Sequence, residues 1–384
     1  MKRYFSEEHI MLKKMVKEFA EKEIKPFAQE IDSKSKFPLE IIKKMSDLGL
    51  LGIPWDEKYG GIGMDTLSLV IAIEEIGKVC TSTAVTMMAH TSLGTGPIAY
   101  FGTEVQKEKY LSKLAKGQIL GAFALTEPNA GSDAGNTQTT AELIDNYYLI
   151  NGQKTFCTNA GKSGIITITA KIINKDLPKQ NIGAFIVESD TKGVKFGSPE
   201  KKMGWKGSDT RSVFFENVKI PKENILGDPN KGFSQFLETL SGGRITIGGL
   251  SLGIAQGAFN AAVKYSKERH AFGKEINKFQ AISFKISDMA TRIEAAKHLV
   301  YHAAWLKDNK LPFMKEAAMA KLFSSETAMY VTTEAIQIHG GYGYIKEYNV
   351  ERYFRDAKLL EIGEGTSEIQ RIVISREILN NINI

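Results

Sequence analysis

Tyr147-Tyr148-Leu149-Ile150-Asn151-Gly152-Gln153-Lys154-Thr155-Phe156 carries the signature of a β-hairpin. Two runs rich in aromatic and β-branched residues flank Asn-Gly, a pair that favours the type I′ turn whose twist matches that of the strands. The same character extends through the surrounding stretch. Residues 165–170, 184–187 and 212–215 are short, β-branched and separated by turn residues. A compact β-domain over 121–230 is the natural expectation.

On both sides the hydrophobic period changes to that of a helix. Ile10, Met11, Lys14, Met15 and Val16 open an amphipathic pattern that runs to Phe27, and Leu39, Ile42, Met45 and Leu48 repeat the spacing before Gly49 stops it. Residues 67–76 and 103–114 predict further helices, so 1–120 reads as a helical domain. From 231 to 384 the predicted helices are long, over 233–267, 280–306 and 313–338, the last stopping at Gly340-Gly341. Long helices with short connections predict an antiparallel four-helix bundle. Gly249, Gly253, Gly257 and Ala261 recur at every fourth position and line one face of the first of them, which suits a closely approaching helix or ligand. The expected architecture is therefore α+β and multidomain: a helical N-terminal domain, a middle β-domain and a C-terminal four-helix bundle.

The totals narrow the function. The chain of 384 residues is 42% hydrophobic and 24% charged, ordinary for a folded protein. Its 50 basic and 44 acidic residues give a net charge of +6 with no basic block, so a nucleic-acid tail is not expected. Cys80 and Cys157 lack metal-ligand spacing, so neither a disulfide framework nor a metal site is expected, and a reducing, cytoplasmic compartment fits. The charged N-terminus lacks the apolar core of a secretion signal. The most apolar long stretch, 245–263, is glycine-rich and carries Gln256 and Asn260, so no membrane insertion is expected.

Five segments suggest chemistry. In Ile362-Gly363-Glu364-Gly365-Thr366-Ser367-Glu368, a lone acid sits between glycines, poor helix sequence that suits a tight turn. Two readings stand side by side: a carboxylate aimed at a ligand, or an acid capping the helix that starts near Thr366. Phe123-Ala124-Leu125-Thr126-Glu127-Pro128-Asn129-Ala130-Gly131-Ser132-Asp133 predicts a loop with free N–H and hydroxyl groups, suited to a ring edge or a phosphate, or else simply a domain junction. Thr155-Phe156-Cys157-Thr158 offers a stacking ring and a hydroxyl, or a plain strand edge. Arg269-His270-Ala271-Phe272-Gly273 with Phe279-Gln280 offers a phosphate ligand, or a solvated helix end. Gln337-Ile338-His339-Gly340-Gly341 offers a backbone cradle, a helix cap, or both. No dinucleotide fingerprint, Walker loop, nucleophile elbow or His-Glu metal pair is present.

In this order and spacing the five segments resemble the acyl-CoA dehydrogenase family of flavoproteins over essentially the whole chain. The resemblance implies FAD, a homotetramer built as a dimer of dimers, and electron transfer to an electron-transferring flavoprotein. It implies an oxidoreductase of acyl-CoA metabolism that acts on a CH–CH bond, taking an acyl-CoA thioester to the trans-2-enoyl-CoA. By position it implies Glu364 as the base for the α-proton, with flavin N5 accepting the β-hydrogen. Phe123, Leu125, Thr126, Phe156 and Thr158 match flavin contacts. Ser132 matches a contact to cofactor and CoA, and Arg269, Phe272, Gln280, Gln337, Gly340 and Gly341 match contacts to a neighbouring subunit's FAD. Gly365, Thr366 and Glu368 match positions near the adenosine side. Ser241, Arg244, His90, Thr91 and Gly94 match the substrate side. Isovaleryl-type relatives place the base just before the position of Arg244. Gly243 stands there and cannot be a base, so the chemistry falls to Glu364. Tyrosine commonly precedes the base in short- and medium-chain members, but Gly363 does so here, which leaves chain length open. Relatives run as enoyl-CoA reductases or acyl-CoA oxidases, and a silent flavin-binding scaffold is the remaining alternative.

Overall fold

The computed structural model describes residues 4–173 and 181–381. Eight α-helical segments come first: α1 (Glu7–Phe19), α2 (Ala28–Ser33), α3 (Leu39–Asp47), α4 (Thr66–Gly77), α5 (Thr81–Met88), α6 (Gly96–Phe101), α7 (Glu104–Gln106) and α8 (Ser112–Ala115). A π-helical stretch, Ala89–Thr95, joins α5 to α6 without a break. Gly49 stops the α3 region in the left-handed conformation, φ +72°, as its position suggested. The mostly buried helical run from Thr81 to Phe101 falls within the expected helical domain, but its serines, threonines and glycines give no apolar period that marks its helices.

Seven strands follow: β1 (Leu120–Ala124), β2 (Thr140–Ile144), β3 (Tyr147–Thr158), β4 (Ser163–Ile173), β5 (Ile182–Glu188), β6 (Val194–Phe196) and β7 (Thr210–Pro221). They form one mixed sheet in the order β1-β4-β2-β3-β7-β6, with β5 on β4. The expected hairpin turn at Asn151-Gly152 is absent. Strand β3 runs straight through it, and the turn falls at Asp145-Asn146, where Ile144 pairs with Tyr147 and Asp145 takes φ +50°. An Asp-Asn pair tolerates the left-handed region and does the work expected of Asn-Gly. Gly152 instead marks a slip in the β3–β7 register, with φ +146° and Thr139 so close that a Cβ would meet it at 2.6 Å. A second slip, between Lys154 and Cys157, carries Phe156 at φ +55°.

Helices then return: α9 (Gly232–Glu268), α10 (Gln280–Asp308), α11 (Met314–His339), α12 (Val350–Lys358) and α13 (Ser367–Asn381). Between α9 and α10 a two-stranded hairpin, β8 (His270–Ala271) and β9 (Lys274–Glu275), turns at Phe272-Gly273. The glycine face of α9 meets a helix, one of its two expected uses. A Cβ on Gly249 would approach Val70, one on Gly253 would come within 2.6 Å of the Glu74 carbonyl, and one on Gly257 within 2.6 Å of the Lys78 carbonyl. Helix α4 thus lies almost backbone to backbone on α9. The contact is pinned by buried Glu74, which accepts from Gln256 Nε2 at 2.7 Å and from the Tyr301 hydroxyl. The chain is therefore a helical N-terminal part, a middle sheet and a C-terminal helical bundle, with α9 as the shaft that joins them. Among the described residues no helix is long and apolar enough to cross a membrane.

Candidate active site

Glu364 sits on a turn between the 3₁₀ segment Leu359–Glu361 and α13. Both it and Gly365 occupy the left-handed region, at φ +55° and +91°. A non-glycine residue held there is strained, and such strain persists only where surrounding contacts enforce it. Here two side chains converge on one carbonyl: Lys321 Nζ donates to Gly365 O at 2.7 Å, and Gln370 Nε2 at 2.9 Å. The Thr366 hydroxyl accepts from the Ile369 N–H and caps α13. The cap therefore falls to Thr366, and Glu364 is free of that duty.

The Glu364 carboxylate points inward. Its Oε2 is buried with no hydrogen-bond partner. A Cβ on Gly243 would lie 2.3 Å from it, and Leu93 Cδ2 would lie 3.1 Å from that same Cβ. Only glycine at 243 leaves room for the acid. Burial pushes the Glu364 carboxyl up to about 7, and the charges of Lys321 and Arg244 hold it from rising further. Arg244 is itself buried; it donates to Ser241 Oγ at 3.2 Å, while its Nε has no partner. An unpartnered carboxylate oxygen and an unpartnered guanidinium nitrogen at one place are costly in a resting protein. They fit a site completed by a ligand.

Three of the residues expected on the substrate side do not open toward this site. The ring nitrogens of His90 are both taken, one by Leu114 O at 3.1 Å and the other by the Gly121 N–H at 2.9 Å. Thr91 donates to Leu51 O, and Gly94 packs so tightly on Gly121 that a Cβ would meet it at 2.4 Å. These residues fix the π-helical stretch to β1 and to the 3₁₀ turn at Leu50–Gly52. Any part they take in an acyl pocket is through their packing, since the polar atoms of His90 and Thr91 are committed to backbone groups. Leu93 and the carboxylate converge from opposite elements on the space beside Gly243, and the Thr95 hydroxyl of the same stretch is buried without a partner.

A second group collects at the end of the sheet. Phe123 stacks on Phe236 of α9 with centroids 4.3 Å apart, and Leu125 is buried beside them. Thr126 O accepts from the Thr155 N–H at 2.8 Å, which brings the loop after β1 next to the bulge in β3. That bulge leaves Phe156 65% exposed, an unusual state for a phenylalanine that faces nothing. Thr158 ends the strand, paired with Thr210. The loop carrying exposed Ser132 is anchored by a buried ion pair not foreseen from sequence. Lys154 Nζ lies 2.7 Å from Glu127 Oε1, and the Glu127 carboxylate also accepts the Gln138 and Thr139 N–H groups.

A third group forms a cleft of about 660 Å³ lined by Arg269, Phe272, Phe279, Gly340 and Gly341, among others. A Cβ on Gly273, Gly340 or Gly341 would meet nothing within 4 Å, so the backbone here borders open space. Phe272, at the hairpin tip, is 96% exposed. Gln280 and Gln337 are exposed on the adjoining turns of α10 and α11. Glu368 is exposed on the first turn of α13, its carboxyl lowered by its own backbone N–H and the Thr366 hydroxyl. The cleft and the carboxylate stand far apart along α9: from Arg244, a third of the way along, to Arg269 just past the C-terminal end, the helix runs about 37 Å. Among the described residues no cluster of His, Cys, Asp or Glu is arranged to hold a metal.

Three family models match along the chain: "Acyl-CoA dehydrogenase, N-terminal domain" over residues 6–118, its middle domain over 122–218 and its C-terminal domain over 230–379. A probable acyl-CoA dehydrogenase of Bacillus subtilis is 54% identical, covering 97% of this chain and 98% of the relative. The caffeyl-CoA reductase-Etf complex subunit CarC of Acetobacterium woodii is 48% identical, covering 98% and 99%. The butyryl-CoA dehydrogenase structure from Megasphaera elsdenii superposes with a TM-score of 0.95 at 46% identity, covering 98% and 99%.

Proposed function

Because the chain belongs to the acyl-CoA dehydrogenase family, we propose that it is an FAD-dependent acyl-CoA dehydrogenase with Glu364 as its base. The observation that carries this reading is Glu364 Oε2, buried, unpartnered and wedged against Gly243, with burial pushing the carboxyl up to about 7. A general base works best with a pKa near the operating pH, and burial supplies that here.

The residues present fit FAD at two places. At the end of the sheet, Thr126, Thr158 and the exposed Phe156 ring form an edge suited to the isoalloxazine. In the cleft, Arg269 and the bare glycine backbones of 340 and 341 suit the diphosphate portion. We read the two places as parts of two cofactor sites, because the cleft lies about 37 Å along α9 from Arg244, beside the carboxylate that the flavin must face. We read the cleft, with Phe272 at its rim, as half of a site completed by a second copy of this chain. That supports a homo-oligomer, read as a homotetramer.

When bound, FAD supplies the acceptor for the β-hydrogen, taken as hydride. The protein does the rest. Glu364 takes the α-proton, and we assign the backbone N–H of Glu364 to the thioester carbonyl, where negative charge develops. Arg244 balances the carboxylate from α9. Leu93 and the π-helical stretch exclude water beside it. Butyryl-CoA dehydrogenase as a neighbour supports a short acyl chain, and the Etf-complex relative supports an electron-transferring flavoprotein as acceptor. Buried, free Cys80 and Cys157 suit a reducing cytoplasm.

The same relative is named a reductase, which favours a second reading in which Glu364, protonated, donates to the α-carbon of an enoyl-CoA. Purified protein would be mixed anaerobically with butyryl-CoA and with longer, branched and cyclic acyl-CoAs while flavin absorbance is followed. Bleaching with butyryl-CoA is the expected result. Protein without flavin, or flavin that no acyl-CoA bleaches, sinks the proposal. Reoxidation of reduced flavin by enoyl-CoA faster than the forward step favours the reductase.

A further inference from the structure

Lys321 is fully buried on α11, a costly place for an ammonium group. Among the described residues its ammonium makes one hydrogen bond, to the Gly365 carbonyl at 2.7 Å. That carbonyl already has a donor of the same reach, the neutral amide of Gln370 at 2.9 Å, which also donates to the Glu364 carbonyl at 3.3 Å. Pinning the turn therefore does not require a charge. An uncharged side chain would do so without the desolvation penalty. What an uncharged side chain cannot do is act on the unpartnered carboxylate one residue away.

We infer that Lys321 is a positioning residue for the base, fixing the Glu364-Gly365 turn through its carbonyl and supplying the buried positive charge that keeps Glu364 ionisable in its apolar pocket. The inference rests on Glu364 being the base. The charged groups around the pair are few. Arg244 acts on Glu364 from α9, and the charge of Arg376 on α13 acts in turn on Arg244. Glu361, Glu368 and Arg244 act on Lys321, whose ammonium is itself brought down to about 8 by burial. Glu361 is engaged by Lys358 at 2.7 Å, and Glu368 lies in solvent, so the buried neighbour left for Lys321 is Glu364.

The sign follows from the charge. A nearby cation favours the carboxylate, so its removal raises the pKa of Glu364. The test uses the FAD-bound protein without substrate. The protonated carboxyl band of Glu364, identified by its loss in Glu364→Gln, is titrated by infrared difference spectroscopy. In Lys321→Met the midpoint should move upward by roughly one pH unit or more, the lower end for losing a neighbouring opposite charge. Lys321→Arg should restore it. Gln370→Met removes the neutral donor and keeps the charge, and should leave the midpoint in place. The acid limb of the pH profile for flavin reduction by butyryl-CoA should shift with the band. A midpoint in Lys321→Met equal to the parent's, or one that Gln370→Met moves as far, overturns the inference. Normal flavin reduction by Glu364→Gln would instead overturn the base assignment and would leave the infrared result standing by itself.

Discussion

A Cβ built on Gly243 would lie 2.3 Å from Glu364 Oε2, so helix α9 abuts the carboxylate with no side chain between them. Residue 243 therefore sets how far the acid reaches into its pocket. Gly243→Ala should fold, since alanine is the better helix residue by roughly 1 kcal/mol. It should nonetheless displace the carboxylate by about an ångström, a misplacement that costs on the order of 10²-fold in rate. Stopped-flow flavin reduction by butyryl-CoA checks this, and a rate within a few-fold of the parent would show that the pocket tolerates the shift.

Glu364→Gln should retain FAD and lose dehydrogenation by at least about 10²-fold, the lower end for a positioned base. It should also reveal the cost of burying the charge. The folded-state carboxyl stands near 7 against an ordinary 4.5, so protonation favours the folded state. Stability from this group is complete below about 4.5 and is lost as pH rises through 7. Gln carries no such dependence. The variant should therefore match the parent at pH 4.5 and exceed it at pH 8 by up to about 3 kcal/mol. Substrate-free denaturant unfolding at several pH values measures the difference. A parent that gained on the variant with rising pH would contradict the environment described for Glu364.

The Glu127–Lys154 pair lies beneath the loop that offers Thr126 and Ser132. Both groups are buried and 2.7 Å apart. Lys154→Met strands the Glu127 carboxylate, which should cost about 3–5 kcal/mol. The loss should appear first as weaker FAD retention, since the loop after β1 is what the pair holds. Equilibrium dialysis of FAD with a thermal melt checks both. FAD affinity equal to the parent's in a destabilised variant would confine the pair to a structural role.

Where local pattern dictates conformation, the fold was legible. The long helix expected over 233–267 ends within a residue of α9, because its apolar period is sustained and its ends are marked. The Asn151-Gly152 turn was misread because the same glycine serves a bulge as well as a turn, and only the pairing partner on β7 distinguishes them. The helices of the run from Thr81 to Phe101 were unmarked because its small polar residues bury as helix only when packed against β1 and α9. At the site, Glu364 stood out through its flanking glycines. Leu93, Lys321 and Gln370 did not, since each comes from a different element and no local spacing joins them. The commitment of the His90 ring to two backbone groups was equally hidden, because its partners lie on α8 and β1.

The α4–α9 crossing makes a prediction about stability alone. At Gly253 an added Cβ would meet the Glu74 carbonyl at 2.6 Å and Gly77 Cα at 3.0 Å, both backbone, which cannot step aside. Gly253→Ala should destabilise by about 1–3 kcal/mol despite its better helix propensity. Gly242→Ala, on the same helix, would meet only the flexible end of Lys307 at 2.9 Å and should be neutral or stabilising. Denaturant midpoints of the two variants give the comparison, and equal midpoints would mean that α4 can slide along α9.

Phe272 stands at the tip of the β8–β9 hairpin with 96% of its surface exposed, on a backbone at φ +49° that is strained for an aromatic residue. Within one chain the ring meets Phe279 edge-on, with centroids 6.1 Å apart, and adds little to the fold; the shared cleft proposed above would give it a use. Phe272→Ser should therefore leave the monomer's fold untouched. In the oligomer it should remove the apolar rim of the cleft that includes Arg269 and Gly340, loosening subunit contact and FAD together. Light scattering across a dilution series should show dissociation at higher protein concentration than in the parent, with flavin lost in step. Added FAD should shift the balance back toward the assembly, because a ligand bound at a shared site stabilises the state that holds it. Full assembly with full flavin in Phe272→Ser would mean that the cleft is not shared between copies.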